Sequence, residues 1–383
     1  MVRAVLPAPD GGYISSNTAE GEDALFRLTS GSYNTAIGRE ALFNVTIDSF
    51  NTAIGSYSLH NNGGHDNTAT GYSALFDNTY GESNTATGLN ALLRNLTGSF
   101  NTANGVSALS FNTTGNNNTA TGVNALLNNT TDSNNMATGY QALFSNTSGY
   151  SNTANGAYAL NSNTTARYNT ATGVNALLRN NGNSNTATGV QALQSNNTGM
   201  SNTANGVSAL FFNNTGNKNA ANGVQALYHN TIGSNNTANG YNALFNNTAL
   251  GNNTAEGYQA LLNNTGANNI GLGSNAGSGL TTGSGNVCIG SVGVAAESNT
   301  TWIRNVYASV ASGRAVYVNS DNKVGTLASS RRFKDEIKPM DKASEAILAL
   351  KPVTFRYKKE IEPNGAIMFG LTPRRWKKWI PTW

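Results

Sequence analysis

One phrase, Asn-Thr-Ala-x-Gly-x-x-Ala-Leu, recurs from Asn17 to about Leu261 and limits how this chain can fold. Its central glycines stand at Gly21, Gly38, Gly55, Gly71, Gly88, Gly105, Gly122, Gly139, Gly156, Gly173, Gly189, Gly206, Gly223, Gly240 and Gly257. The step is 17 residues, with shortenings to 16 before Gly71 and Gly189, and a degenerate sixteenth unit ends at Gly273. Such a period is too short for helical-hairpin repeats or propeller blades. A glycine in every unit also opposes a helix. Thr, Ala and the Val or Tyr that often follows the glycine suit a narrow strand, whereas the Asn- and Gly-rich segments between phrases suit turns. The period therefore predicts an all-β fold, a parallel β-solenoid (β-roll) of about fifteen 17-residue coils. Each coil reads as strand, turn, strand, turn, with its backbone paired to coils ~4.8 Å above and below.

The small residues mark where a coil is narrow. Ala36 with Gly38 and Ala154 with Gly156 are expected to stack in columns, as are the repeat glycines Gly88, Gly122, Gly206 and Gly240. Leu42, Leu75, Leu92, Leu126, Leu143, Leu160, Leu193 and Leu227 supply the apolar column. Asparagine at the first position of the phrase (Asn34, Asn51, Asn84, Asn101, Asn152, Asn202, Asn236) can form an amide-to-amide ladder. This explains an unusual composition, 62 asparagines in 383 residues and only 11% charged side chains. Like charges repeated in register would repel.

A second apolar column adjoins the leucines: Phe43, Phe76, Leu93, Leu127, Phe144, Leu178, Phe211, Tyr228, Phe245 and Leu262. Successive residues of a strand point to opposite faces, so two adjacent columns do not both fit inside one thin coil. Either the second column faces a partner in a parallel homo-oligomer, or a corner lies between the two and both are internal.

Other classes fall away on composition. A lone cysteine, Cys288, excludes an intrachain disulfide framework and thiolate-rich metal sites, and its apolar-equivalent position suggests a buried, inert thiol. No metal or cofactor is expected. No run approaches the ~18–20 apolar residues of a membrane span, and the N-terminus is too short for a secretory signal peptide. Export by another route, or a longer precursor, would then be needed. The repeats offer no recurrent carboxylate pair for glycan cleavage, and His60, His65 and His229 stand alone as turn or surface residues. Binding to ice or another crystal lattice ranks low, because the phrase supplies a single threonine rank of undetermined direction.

Beyond Asn268 the repeat tightens (Asn-Asn-Ile-Gly-Leu-Gly), and short β-type runs lead through a neck to Ala328. Fourteen of the 23 basic residues then lie from Lys323 onward. Asp341 to Leu350 reads as a short amphipathic helix capped by Asp341 and stopped by Pro352. Val353 to Lys359 and Ala366 to Leu371 read as strands around a Pro363-Asn-Gly365 turn, the start of a small α+β unit.

Ser329-Ser-Arg-Arg-Phe-Lys-Asp-Glu-Ile-Lys-Pro-Met340, with Leu350-Lys-Pro-Val-Thr-Phe-Arg-Tyr357, resembles the opening of the peptidase S74 domain. That domain is the intramolecular chaperone of endosialidases and also ends many phage tail fibres and bacterial surface fibres. The repeats resemble the β-roll heads of trimeric autotransporter adhesins of the YadA type, here without a coiled stalk. The resemblance implies a homotrimer, its seam the second apolar column. It also implies self-cleavage between Ala328 and Ser329, with Ser329 as nucleophile and Lys334 as general base. A neutral lysine serves such a role when burial lowers its pKa. Ser330 stands where the family commonly has an acid.

After Leu371 the chain departs from the family text. Thr372-Pro-Arg-Arg-Trp-Lys-Lys-Trp-Ile-Pro-Thr-Trp383 back-translates, one base earlier, to Ala-Glu-Lys-Val-Glu-Lys-Val-Asp-Pro-Asp-Leu, so residues 372–383 read as a frameshifted tail. The tail supplies four basic residues and three of four tryptophans, so it accounts for the net charge of +4 without a nucleic-acid partner. The expected organisation is a lead-in (1–16), solenoid repeats (17–267), terminal coils and neck (268–328), the opening of the S74-like unit (329–371) and the tail. The expected role is an extracellular structural or adhesive fibre segment, on a cell surface or virion, with a glycan or protein receptor. An active autoprotease is the alternative.

Overall fold

The structure is a computed structural model that describes residues 14–306, 316–318, 321–326, 353–355 and 368–370. The chain divides into two compact units, Met1–Val306 and Tyr307–Trp383.

The first unit is an all-β parallel solenoid. Eighteen strands of three residues each, from Thr18–Glu20 to Thr301–Ile303, form one parallel sheet. Each strand pairs with the one a full repeat later, so Ala86, Ala103 and Ala120 align, as do the residues on either side of them. Eighteen stacked strands enclose seventeen circuits, two more than the fifteen intact phrases suggest. The extra coils have lost the phrase but kept the register. Gly271, Cys288 and Trp302 occupy the alanine position in Ile270–Leu272, Val287–Ile289 and Thr301–Ile303. Trp302 packs against the end of the core and donates its indole N–H to Glu297 Oε2 at 3.0 Å.

The expected second strand of each coil is largely absent. Among the described residues of the solenoid, only Asn61–Asn62 pairs in this way, with Asp77–Asn78, extended by a bridge from Asp77 to Arg94. The reason lies in the segment after the glycine, where backbone handedness alternates. Gly122, Asn124 and Leu126 have φ of 129°, 57° and 50°, values a strand does not accommodate. This alternation curls the chain so that Ala125 and Leu126, neighbours in sequence, are both fully buried. A left-handed leucine costs roughly 1–2 kcal/mol. Full burial of its side chain returns roughly 1.5–3 kcal/mol, and the backbone stays bonded between coils. Asn124 N–H donates to Val106 O and Leu126 N–H to Ala142 O, both at 2.9 Å.

The core is thus three columns: the strand alanine, the turn alanine and the leucine, all at 0% exposure through the middle of the stack. The repeat glycines Gly38, Gly88, Gly122, Gly156, Gly206 and Gly240 have φ between 129° and 142°. A Cβ on Gly122 would lie 2.6 Å from Gly139 O of the next coil, so both handedness and layer spacing require glycine there.

In the second unit Val316–Val318 pairs antiparallel with Val324–Thr326, and Val353–Phe355 with Met368–Gly370. The expected helix, the scissile pair Ala328 and Ser329, Lys334, and the tail lie outside the described residues.

Candidate functional site

A stack of identical coils presents faces, not a cleft. Two asparagine ladders hold those faces rigid. In the first, running from Asn17 to Asn286, each side-chain oxygen accepts the backbone N–H of the next ladder residue; Asn101 N–H reaches Asn84 Oδ1 at 3.0 Å. The amide nitrogen donates to a turn carbonyl of the following coil, as Asn101 Nδ2 does to Gly115 O at 2.8 Å. The sequence suggested amide-to-amide contacts as the basis of this column, but its main bonds join side chain to backbone. The tighter amide-to-amide ladder is a second column, three residues after each leucine, which sequence reasoning missed. Asn112 Nδ2 donates to Asn95 Oδ1 at 2.7 Å, and Asn129 Nδ2 to Asn112 Oδ1 at 2.9 Å. Its period was visible in the sequence, hidden among turn residues of similar composition. Both ladders converge on the same carbonyl, since Asn112 Nδ2 also reaches Gly115 O.

The strand face is polar and outward. Pleating sends the central alanine inward and the first and third residues outward, and burial follows that alternation. One rank is threonine in most coils, including Thr85, Thr102 and Thr119; the other mixes threonine and asparagine, as at Thr87, Asn104 and Thr121. The expectation of a single threonine rank of open direction is therefore corrected. The turn threonines use their hydroxyls to tie coils together, as Thr113 Oγ1 does to Thr130 O at 2.8 Å. Among the described residues, the hydroxyls of Thr85, Thr102, Thr119 and Thr121 donate to no protein acceptor.

The opposite chemistry follows the repeat glycine. Leu89, Val106, Val123, Tyr140, Val174 and Val207 form a column about 40–46% exposed. Beside it the second apolar column (Phe43, Leu93, Leu127, Phe144) is half-buried. It is neither fully internal nor fully open. Its rings stack from coil to coil, with Phe43 to His60 at 5.2 Å and His60 to Phe76 at 4.8 Å. Tyr57 joins the two columns, at 5.7 Å from Tyr72 and 6.4 Å from Phe76.

Ionisable groups cluster in the first coils. His60, expected as an isolated turn or surface residue, belongs to the ring stack and bonds Glu40 Oε2 at 3.1 Å. His65 Nδ1 accepts the Ser49 N–H at 3.0 Å, and its Nε2 lies 3.7 Å from Asp48. Burial pushes the Asp48 carboxyl above the ordinary aspartate range, with His65 opposing. Cys288 is fully buried, and desolvation followed by the nearby Glu297 raises its thiol pKa, so it is a poor nucleophile. A shallow groove of about 440 Å³ is lined by Arg94, Phe111, Thr113, Asn128, Thr130, Ser145 and Thr147, with the Arg94 guanidinium over the Phe111 ring at 5.7 Å. Among the described residues no three His, Cys, Asp or Glu side chains gather as a metal site, and no helix is long and apolar enough to cross a membrane.

The family model described as the chaperone of endosialidase, peptidase S74, matches residues 329–372. No curated protein and no solved structure matches the chain. The chain therefore joins an all-β parallel solenoid to a C-terminal segment similar to the peptidase S74 chaperone, an arrangement consistent with fibre-like proteins of the tail-fibre and adhesin kind.

Proposed function

We propose that this chain is a structural and adhesive segment of an extracellular fibre, carried on a cell surface or virion, whose S74-like segment assists assembly. The observation that carries the reading is the S74 match at residues 329–372, following the seventeen-circuit stack in the same chain. At ~4.8 Å per coil the stack extends roughly 80 Å. Such a rod separates a binding face from its anchor, and its repeated surfaces allow many weak contacts to a glycan or protein receptor.

The assembled form is a parallel homotrimer of the general type found in YadA-like β-roll heads. Its seam is the half-buried column through Phe43, Leu93, Leu127 and Phe144, widened by the exposed column through Val106 and Val123. Contiguous apolar surface of this kind favours a partner, and a parallel assembly would match column to column. The strand face stays open in that arrangement.

The second reading is self-cleavage before Ser329, favoured by a family match that begins at that residue. Ser329 Oγ would attack the Ala328 carbonyl carbon while Lys334 accepts its proton. The Ala328–Ser329 C–N bond would break as that proton passes to the Ser329 nitrogen, and water would hydrolyse the resulting ester. Gel electrophoresis with and without boiling, combined with intact-mass measurement, tests both readings on the parent and on Ser329→Ala. A heat-sensitive trimer supports the fibre reading, and a cut after Ala328 that Ser329→Ala abolishes supports the protease. A soluble, uncut monomer would overturn both.

A further inference from the structure

We propose that the threonine and asparagine strand face between Thr68 and Asn239 binds crystalline water, the surface of ice. This inference goes beyond the fibre reading and does not depend on it. It rests on the geometry and chemistry of one face.

The face is a two-dimensional grid. Successive coils repeat it at ~4.8 Å, and two residues of extended strand separate its ranks by ~6.6 Å. The register holds at every step, including Thr170 to Thr186, where the repeat shortens to 16 residues. The asparagine ladders run the length of this block, and specific side-chain ladders are one of the devices that stabilise flat sheets of many strands. Threonine adds rigidity, because β-branching restricts its χ1 rotamers. Ice likewise repeats its water oxygens at fixed intervals in two directions, with spacings of this size. A preformed rigid grid can seat such a layer without first losing conformational freedom.

The chemistry points the same way. Each threonine offers a hydroxyl that both donates and accepts, beside a methyl group that orders water around it. The strand-face hydroxyls of Thr85, Thr102, Thr119 and Thr121 have no protein acceptor, whereas turn threonines such as Thr130 are bonded to the next coil. Within the block neither rank holds a charged residue, and the nearest in these ranks are Glu20 and Glu256, outside it. A charge would impose its own hydration geometry on the layer. Neither rank holds an aromatic ring within the block, and the stacking platforms that would favour a crystalline polysaccharide are missing from the grid. Met136 and Ala220 interrupt the threonine rank without adding charge. Many weak contacts on one rigid face then add as avidity.

The test uses the purified full chain. Nanolitre osmometry should show growth arrest and faceting of single ice crystals, and slow freezing should concentrate the protein in the ice fraction. Thr121→Tyr combined with Thr153→Tyr should abolish both effects, while Thr114→Tyr on the exposed turn should retain them, all three proteins having matching circular dichroism. Should the tyrosines prevent folding, Thr121→Lys places a charge in the same grid and should also abolish the effects. Ice growth in the parent indistinguishable from buffer would overturn the proposal. So would retention on microcrystalline cellulose or chitin with exclusion from ice, or full ice activity in a folded Thr121→Tyr, Thr153→Tyr protein.

Discussion

Leucine rarely accepts left-handed backbone, yet Leu42, Leu92, Leu126 and Leu160 all have φ near 50°. The position is tolerated because the same turn buries the whole side chain, and burial outweighs the conformational cost. Asp48 shows the reverse balance. Burial raises its pKa more than His65 lowers it, so the folded chain binds the proton more tightly than the unfolded chain. The sign follows: stability from this group is full at acid pH and is lost as pH rises through the raised folded pKa. Asp48→Asn should therefore protect the first coils at neutral pH, and the advantage should vanish below the ordinary aspartate value of about 3.9. Hydrogen exchange of those coils, followed across pH on both proteins, checks this. A parent whose first coils gain protection from pH 4 to 7 by the same amount as the variant would contradict it.

At the scale of one element, the coil is held less by its three-residue strand than by the ladders around it. Asn118 accepts the Asn135 N–H at 3.0 Å and donates to Asp132 O at 2.8 Å. Asn118→Ala would leave the buried Asn135 N–H without its acceptor, a loss of about 1–3 kcal/mol. Asp132 O would keep its bond from Asn129. Asn112→Ala removes side-chain partners from the second ladder and one of the two donors to Gly115 O, which keeps its bond from Asn101, so it strands no backbone group and should be milder. Amide exchange at Asn135 should accelerate in the first variant and much less in the second. Equal exchange in both would mean that the ladders are interchangeable. The first ladder was legible because its asparagine opens the repeated phrase. The second was not, because an asparagine inside an Asn-rich turn looks like any other turn former until the coil closes on it.

For the solenoid as a whole, each coil contacts its neighbours in sequence, so stability is close to a sum of repeat and interface terms. Removing residues 102–118 deletes one register step, since Thr85 would then meet Thr119 where it now meets Thr102. The shortened chain should keep the parent's circular dichroism per residue. Removing 110–117 instead cuts a coil in half and should open the stack locally, read as lost exchange protection on both sides of the cut. Comparable protection in the two deletions would rule out a register set by the period.

The period by itself determined the all-β parallel stack, because only a coil that closes on itself can align small residues and asparagines every 17 positions. It also located the leucine column, the glycine column and the first ladder. Tertiary structure decided what periodicity leaves open. The alternating handedness after each glycine turned an expected second strand into a turn, and so brought adjacent alanine and leucine inside together. The last circuits kept register after the phrase had decayed, because pairing with the coil before them fixes backbone spacing whatever residue fills the alanine position. The direction of the threonines was settled in the same way. A strand alternates its faces, but only closure of the coil fixes which face is the interior.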